Sequence, residues 1–152
     1  MPVRYTPPSP GSLLPVAGIA LGPAAGRIKS WQRDDVLLVT CAPGTVAAGV
    51  FTQNRFCAAP VIVCREHLAH QHGSGAPLRA LVVNAGNANA GTGQPGLAAA
   101  RQTCAAVGRL LGCAPEEVLP YSTGVIMEPL PVDRIVAALP AALAAAREDG
   151  WH

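Results

Sequence analysis

The stretch Pro120-Tyr121-Ser122-Thr123-Gly124-Val125-Ile126-Met127-Glu128-Pro129-Leu130-Pro131 concentrates chemistry into a few positions. Pro120, Pro129 and Pro131 each lack a backbone donor and hold their neighbours extended, so regular helix is not expected there. Between them, Ser122-Thr123-Gly124 offers two hydroxyls and free N–H groups where glycine lets the backbone bend sharply. A turn of that kind can aim two donors at one oxygen, as stabilisation of a developing oxyanion requires. The same residue types also make an ordinary β-turn, so these residues alone leave both roles open. The preceding Glu117-Val118-Leu119 reads as the last buried positions before the chain surfaces.

Two other stretches invite a chemical reading. Gly91-Thr92-Gly93-Gln94-Pro95-Gly96 matches G-x-G-x-x-G between an expected strand and an expected helix. A dinucleotide site needs those glycines tight against the strand end and an acidic residue about twenty positions later, at the end of a second strand. Gly91 lies well beyond Asn84, and Glu116 and Glu117 fall at an expected helix start. There is no Gly-Lys-Ser/Thr for a P-loop. The expected role is a loop whose asparagine side chains satisfy its own backbone, with Asn and Gly taking left-handed angles. His67, His70 and His72 are the second stretch. On a helix His67 and His70 would share a face and suggest a metal. No paired Cys or acid lies at a telling distance, and Gly73, Gly75 and Pro77 follow at once, so a solvated loop is expected.

The elements that must carry these residues come from an unusual composition. Half of the 152 residues are hydrophobic but only 4% are aromatic, so Ala, Val, Leu and Ile must build the core around 16 glycines. Charged residues make up 13% and the net charge is +2. The basic residues are scattered and no aromatic RNA motif is present, which argues against nucleic acid as a partner. The five cysteines are odd in number and have no Cys-x-x-Cys spacing, so packed free thiols in a reducing cytoplasm are expected rather than disulfides or zinc. The apolar run Leu13–Ala25 is broken by Pro15 and Pro23 and is not a signal peptide; nothing approaches a membrane span.

In chain order, residues 1–15 form a proline-rich arm and residues 16–152 one α/β domain. Val16–Ile28 is expected to hold a short strand and a turn, and Val36–Cys41 a buried strand. Val46–Thr52 reads as its hairpin return after Ala42-Pro43-Gly44-Thr45, and Ala59–Cys64 as a third apolar segment, placing buried strands across 36–64. Arg79–Asn84 has the near-continuous apolarity of a strand covered on both faces. Leu97, Cys104, Val107 and Leu111 share a helical face that Gly112 closes. Ala114-Pro115-Glu116-Glu117 starts a further helical turn. A last helix opens at Val132, and Pro140 interrupts it or begins a second one through Arg147.

Three passages together resemble the ornithine acetyltransferase (bifunctional glutamate N-acetyltransferase) family of arginine biosynthesis. They are Gly49-Val50-Phe51-Thr52-Gln53-Asn54 with Ala58-Ala59-Pro60-Val61, the run Asn84-Ala85-Gly86-Asn87-Ala88-Asn89-Ala90-Gly91-Thr92-Gly93, and Ser122-Thr123-Gly124-Val125-Ile126 with Glu128-Pro129-Leu130-Pro131. The match runs in order from about Pro15 to Trp151. The resemblance implies a layered sheet-and-helix sandwich of the N-terminal-nucleophile-like type. It implies acetyl transfer from N-acetylornithine, or from acetyl-CoA as co-substrate, to glutamate, with no bound cofactor or metal. It makes Thr123 and Gly124 the catalytic oxyanion hole, through a hydroxyl and a backbone N–H.

In that family the precursor cuts itself before a threonine, and the freed N-terminal threonine forms an acetyl-enzyme, its own α-amine serving as base. The family's junction is of the Ala-Thr-Met type. The threonines here, Thr6, Thr40, Thr45, Thr52, Thr92, Thr103 and Thr123, include none after alanine. The expectation is therefore most of an α chain, ending before the self-cleavage site. Its implied partner is a β chain carrying the nucleophile, in a cytoplasmic heterotetramer of two α and two β chains. Met127 stands where the family pattern has glycine. The competing expectations are a non-catalytic relic of the same fold and a small nucleotide- or CoA-binding module built on the glycine loop.

Overall fold

The computed structural model describes residue 6 and residues 8–151. Residues 1–5 and 7 of the proline-rich arm lie outside them; Pro10–Ser12 forms a single 3-10 turn. Four strands make one sheet: β1 (Ile19–Ala24), β2 (Val36–Cys41), β3 (Ala80–Asn87) and β4 (Val118–Val125). Their spatial order is that of the chain, with β1–β2 and β2–β3 antiparallel and β3–β4 parallel. A parallel pair needs a long crossover. Helix α2 (Gly93–Leu111) supplies it, ending at Gly112 with a left-handed φ of 66°. Helices α1 (Ala59–Ser74) and α3 (Val132–Ala145) flank it.

All three helices share one buried core with one face of the sheet: Leu38, Val63, Val82, Cys104, Val107, Val118, Ile135 and Leu139 lie within it. Close approach is needed at Gly22, where a Cβ would sit 1.9 Å from the Ala142 carbonyl oxygen of α3. The opposite face is only half-buried. Along β3, Ala80, Val82 and Asn84 are buried while Leu81 and Val83 are not, so the expected burial on both faces is replaced by alternation. A smaller cluster of Cys41, Cys64, Leu68, Leu78 and Leu119 covers one end of that second face.

Four further expectations differ from the structure. Val46–Thr52 is irregular, not a hairpin return, because both edges of β2 are already occupied by β1 and β3. Ala59–Cys64 opens a helix rather than continuing a sheet. Its buried positions, Ala59, Pro60, Val63, Cys64, His67, Leu68 and Gln71, repeat every three to four residues, a period masked by the β-branched run. The three histidines therefore lie on α1 and not in a loop. His67 is buried, its Nδ1–H donating to the Val118 carbonyl at 2.7 Å, and His72 donates through Nε2 to Ala47 at 2.9 Å. Pro140 neither breaks α3 nor starts a new helix; it sits inside it on the exposed side, where the carbonyl deprived of its donor can meet water.

Candidate active site at the ends of β3 and β4

The parallel register pairs Asn84 with Ser122, Ala85 with Thr123 and Gly86 with Gly124, and then breaks at Asn87. Ser122-Thr123-Gly124 is thus the end of a strand, not a turn; the bend expected there is a bulge. Gly124 carries the reason for it. Its φ is +133°, and a Cβ would lie 2.3 Å from the Gly86 carbonyl carbon and 2.5 Å from the Asn87 nitrogen. Only glycine fits that approach. Thr123 and Gly124 are both exposed, and among the described residues the Thr123 hydroxyl makes no hydrogen bond. The structure leaves these two neighbours free on the surface of a rigid strand pair.

What holds the strand pair is a line of buried asparagines. Asn84, Asn87 and Asn89 are 3%, 1% and 0% exposed. Ser122 Oγ donates to Asn84 Oδ1 at 2.6 Å, and Asn84 Nδ2 donates to the Asn87 carbonyl at 2.9 Å. Asn87 Nδ2 donates to the carbonyls of Glu128 and Pro129 at 3.2 and 3.1 Å, while its Oδ1 accepts from the Asn89 backbone at 2.8 Å. Asn89 has a left-handed φ of 47°; its Nδ2 donates to Gly96 and its Oδ1 accepts from Thr92 Oγ1. Buried amides need all these partners, because an unpaired one costs about 1–3 kcal/mol. The glycine loop is spent on its own bonding, as expected. Helix α2 begins at Gly93, inside that loop, ahead of the position the apolar pattern indicated.

The remaining wall is the segment after β1. Asp35 is buried and accepts from the backbone of Gly26 and Ile28 at 2.6 and 2.7 Å. This clamp lays Ile28, Lys29 and Trp31 against Gly86, where a Cβ would meet all three side chains. Lys29 in turn pairs with Glu128, beside the bend at Met127. Met127 has a φ of +62° and packs over Gly91. Such an angle is free for glycine and strained for methionine, a physical reason for glycine at this position. Sequence reading missed the Ser122–Asn84 link and the Lys29–Glu128 pair, because each joins residues far apart in the chain, and the Asp35 clamp, because it depends on how the segment after β1 folds back.

Electrostatics separates this site from the thiols. Burial pushes Cys64 up to about 11 and Cys104 up to about 12, and raises Cys41 and Cys113 as well. All five cysteines are free, in line with packed thiols. Partial burial, and then the nearby Cys64, raise the Tyr121 phenol. Among the described residues no cluster of three or more His, Cys, Asp or Glu side chains is arranged for a metal, and no helix is long and apolar enough to cross a membrane.

Known proteins agree with this architecture. A profile of the ArgJ family matches residues 20–150. The arginine biosynthesis bifunctional protein ArgJ of Methylococcus capsulatus is 59% identical over 140 residues, which are 92% of this chain and 33% of that protein. The chain thus spans about a third of that relative's length. Among crystal structures, the arginine biosynthesis bifunctional protein ArgJ of Bacillus halodurans superposes with a TM-score of 0.72 at 33% identity, covering 80% of this chain and 61% of that one. Ornithine acetyltransferase from Mycobacterium tuberculosis, complexed with ornithine, gives 0.77 at 34% identity, covering 88% and 69%. With its sheet, its asparagine line and its Ser-Thr-Gly strand end all in place, the chain belongs to the ArgJ family.

Proposed function

We propose that this chain is the oxyanion-stabilising, N-terminal part of an acetyltransferase of arginine biosynthesis, moving acetyl from N-acetylornithine or acetyl-CoA to glutamate. The observation that carries it is the exposed, unpartnered Thr123 hydroxyl beside Gly124, held on a strand end that a buried amide line braces. Supporting it are the arginine-biosynthesis names of the relatives and the ornithine bound to the Mycobacterium tuberculosis enzyme.

In this reading a threonine from a complementary chain attacks the acetyl carbonyl carbon, losing its proton to its own α-amine. The carbonyl oxygen takes up the negative charge and accepts hydrogen bonds from Thr123 Oγ1–H and Gly124 N–H. Collapse of that intermediate breaks the C–N bond to ornithine, or the C–S bond to CoA. The departing group carries the proton away and leaves an acetyl ester on the threonine. The amine of glutamate then attacks the ester by the same route in reverse, and the freed hydroxyl completes the cycle. The complementary chain, a pairing of two α with two β chains, and a cytoplasmic setting belong to the same reading.

The test is a chimera in which this chain replaces the corresponding segment of the Methylococcus capsulatus protein. Transfer of acetyl from N-acetylornithine to glutamate is expected, with Thr123→Ala lowering kcat by about 10²–10³. An inactive but folded chimera beside an active parent would reject the catalytic reading and leave the relic, and Met127 in its strained bend would be the first residue to revert to glycine.

A further inference from the structure

We infer that Asn84 is a positioning residue for acyl transfer, acting through Ser122 to fix how Thr123 and Gly124 present their donors. The inference rests on the reading of those two residues as the oxyanion hole. The Asn84 side chain hydrogen-bonds to neither of them. It faces Ser122 across the β3–β4 register and accepts the Ser122 hydroxyl proton on Oδ1 at 2.6 Å. Its other half is committed too, since Nδ2 donates to the carbonyl of Asn87, the residue where the register breaks.

One carboxamide therefore ties the residue before Thr123 to the bulge against which Gly124 rests. Flipping the amide would set Oδ1 against the Asn87 carbonyl oxygen, two acceptors facing each other, so its orientation is determined. At 3% exposure, Asn84 has no water to turn to instead. Asn87 extends the brace by holding the carbonyls of Glu128 and Pro129 on the far side of the bend. Both flanks of Thr123-Gly124 are thus anchored to the same short line of amides.

The physical need is clear from the site's position. Strand ends fray unless something holds them. Donors that stabilise an oxyanion must lie about 2.7–3.1 Å from where it forms, and a displacement of about 1 Å can cost about 10²-fold in rate. Asparagine suits the task because one planar group supplies an acceptor for the hydroxyl and a donor for the carbonyl. Aspartate lacks the donor, and an apolar residue leaves both partners unpaired.

The experiment uses the active chimera described above. Ser122→Ala and Asn84→Ala are each expected to lower kcat by about 10- to 100-fold while KM for N-acetylornithine stays within about two-fold, the signature of lost transition-state stabilisation. The double variant should be no worse than the worse single one, because both remove the same link. Ser122→Thr keeps the hydroxyl and should recover most of the loss. Ser122→Ala removes only one hydroxyl oxygen, so it keeps the test valid should Asn84→Ala fold poorly. Unchanged kcat in Ser122→Ala, or costs that multiply in the double variant, would overturn the inference while leaving the oxyanion reading standing. An inactive unsubstituted chimera would remove both.

Discussion

The two halves of the β3–β4 pair are built on opposite principles. At the Ala80 and Val118 end, the residues turned to the helices are fully buried and apolar, and contact is by volume alone. At the Asn84 and Ser122 end, the same two strands are joined by side-chain hydrogen bonds and by two glycines in direct backbone contact. Volume is forgiving, since a core accepts many apolar residues of similar size. Directional bonds and a glycine-only approach are not. The strand pair therefore changes from a part that supplies stability to a part that supplies position, within a few residues of chain.

That contrast can be broken most forcefully at Gly124. Gly124→Val should cost about 4 kcal/mol or more, combining overpacking with a strained φ, as read from urea unfolding. A loss below about 1 kcal/mol would mean the strand end is soft and the contrast false. On the forgiving side, Leu38 is fully buried. Leu38→Ala should cost about 3 kcal/mol, whereas Leu38→Met should cost under about 1.5 kcal/mol because it keeps the volume. Equal costs for the two would show that the core, too, is a matter of exact shape.

The thiols sharpen the comparison through pH. Cys64 and Cys104 are raised from 9.0 to about 11 and about 12 by burial. A thiol whose folded value is raised holds its proton more tightly in the native state. Its contribution is complete below pH 9.0 and is lost progressively as pH rises towards the folded values. Unfolding midpoints should thus fall as pH rises above 9.0 towards about 11, and Cys104→Ala should flatten that slope although it lowers stability throughout. A slope indifferent to that substitution would place the alkaline weakness outside the core. The smallest expected effect is at Met127, 71% exposed with a left-handed φ. Met127→Gly should stabilise by about 0.5–1 kcal/mol, strain relief offsetting the greater freedom of glycine in the unfolded chain. A loss of stability would mean that its packing over Gly91 outweighs the strain.

Elements with local signals were legible. Val36–Cys41 needed only its β-branched run, and α2 its apolar face and Gly112. The asparagine run announced a self-bonded loop because Asn and Gly are suited to left-handed angles whatever surrounds them. Where two periods overlapped, the reading failed. Val61-Ile62-Val63 looks like a strand locally, yet Pro60, Cys64, Leu68 and Gln71 lie one helical turn apart, Cys64 bonding to β4 at Pro120 and Gln71 to Glu116 in the 3-10 turn Pro115–Glu117 just before it. Val46–Thr52 had strand-like residues but no free edge to join, which composition cannot express.

The site divides in the same way. Thr123 and Gly124 were recognisable as adjacent residues in a proline-bounded stretch, because their proximity is covalent. That Ser-Thr-Gly ends a strand instead of forming a turn depended on β3 lying beside it. So did the need for glycine at 124, which is set by the backbone of Gly86 and Asn87. Residue types and local periods settled β2, β3 and α2 and which family the chain resembles, since those signals lie along the chain. The Ser122 partner of Asn84 and the Glu128 partner of Lys29 came only with folding, because a hydrogen bond across tens of residues leaves no local trace in the side chains that make it.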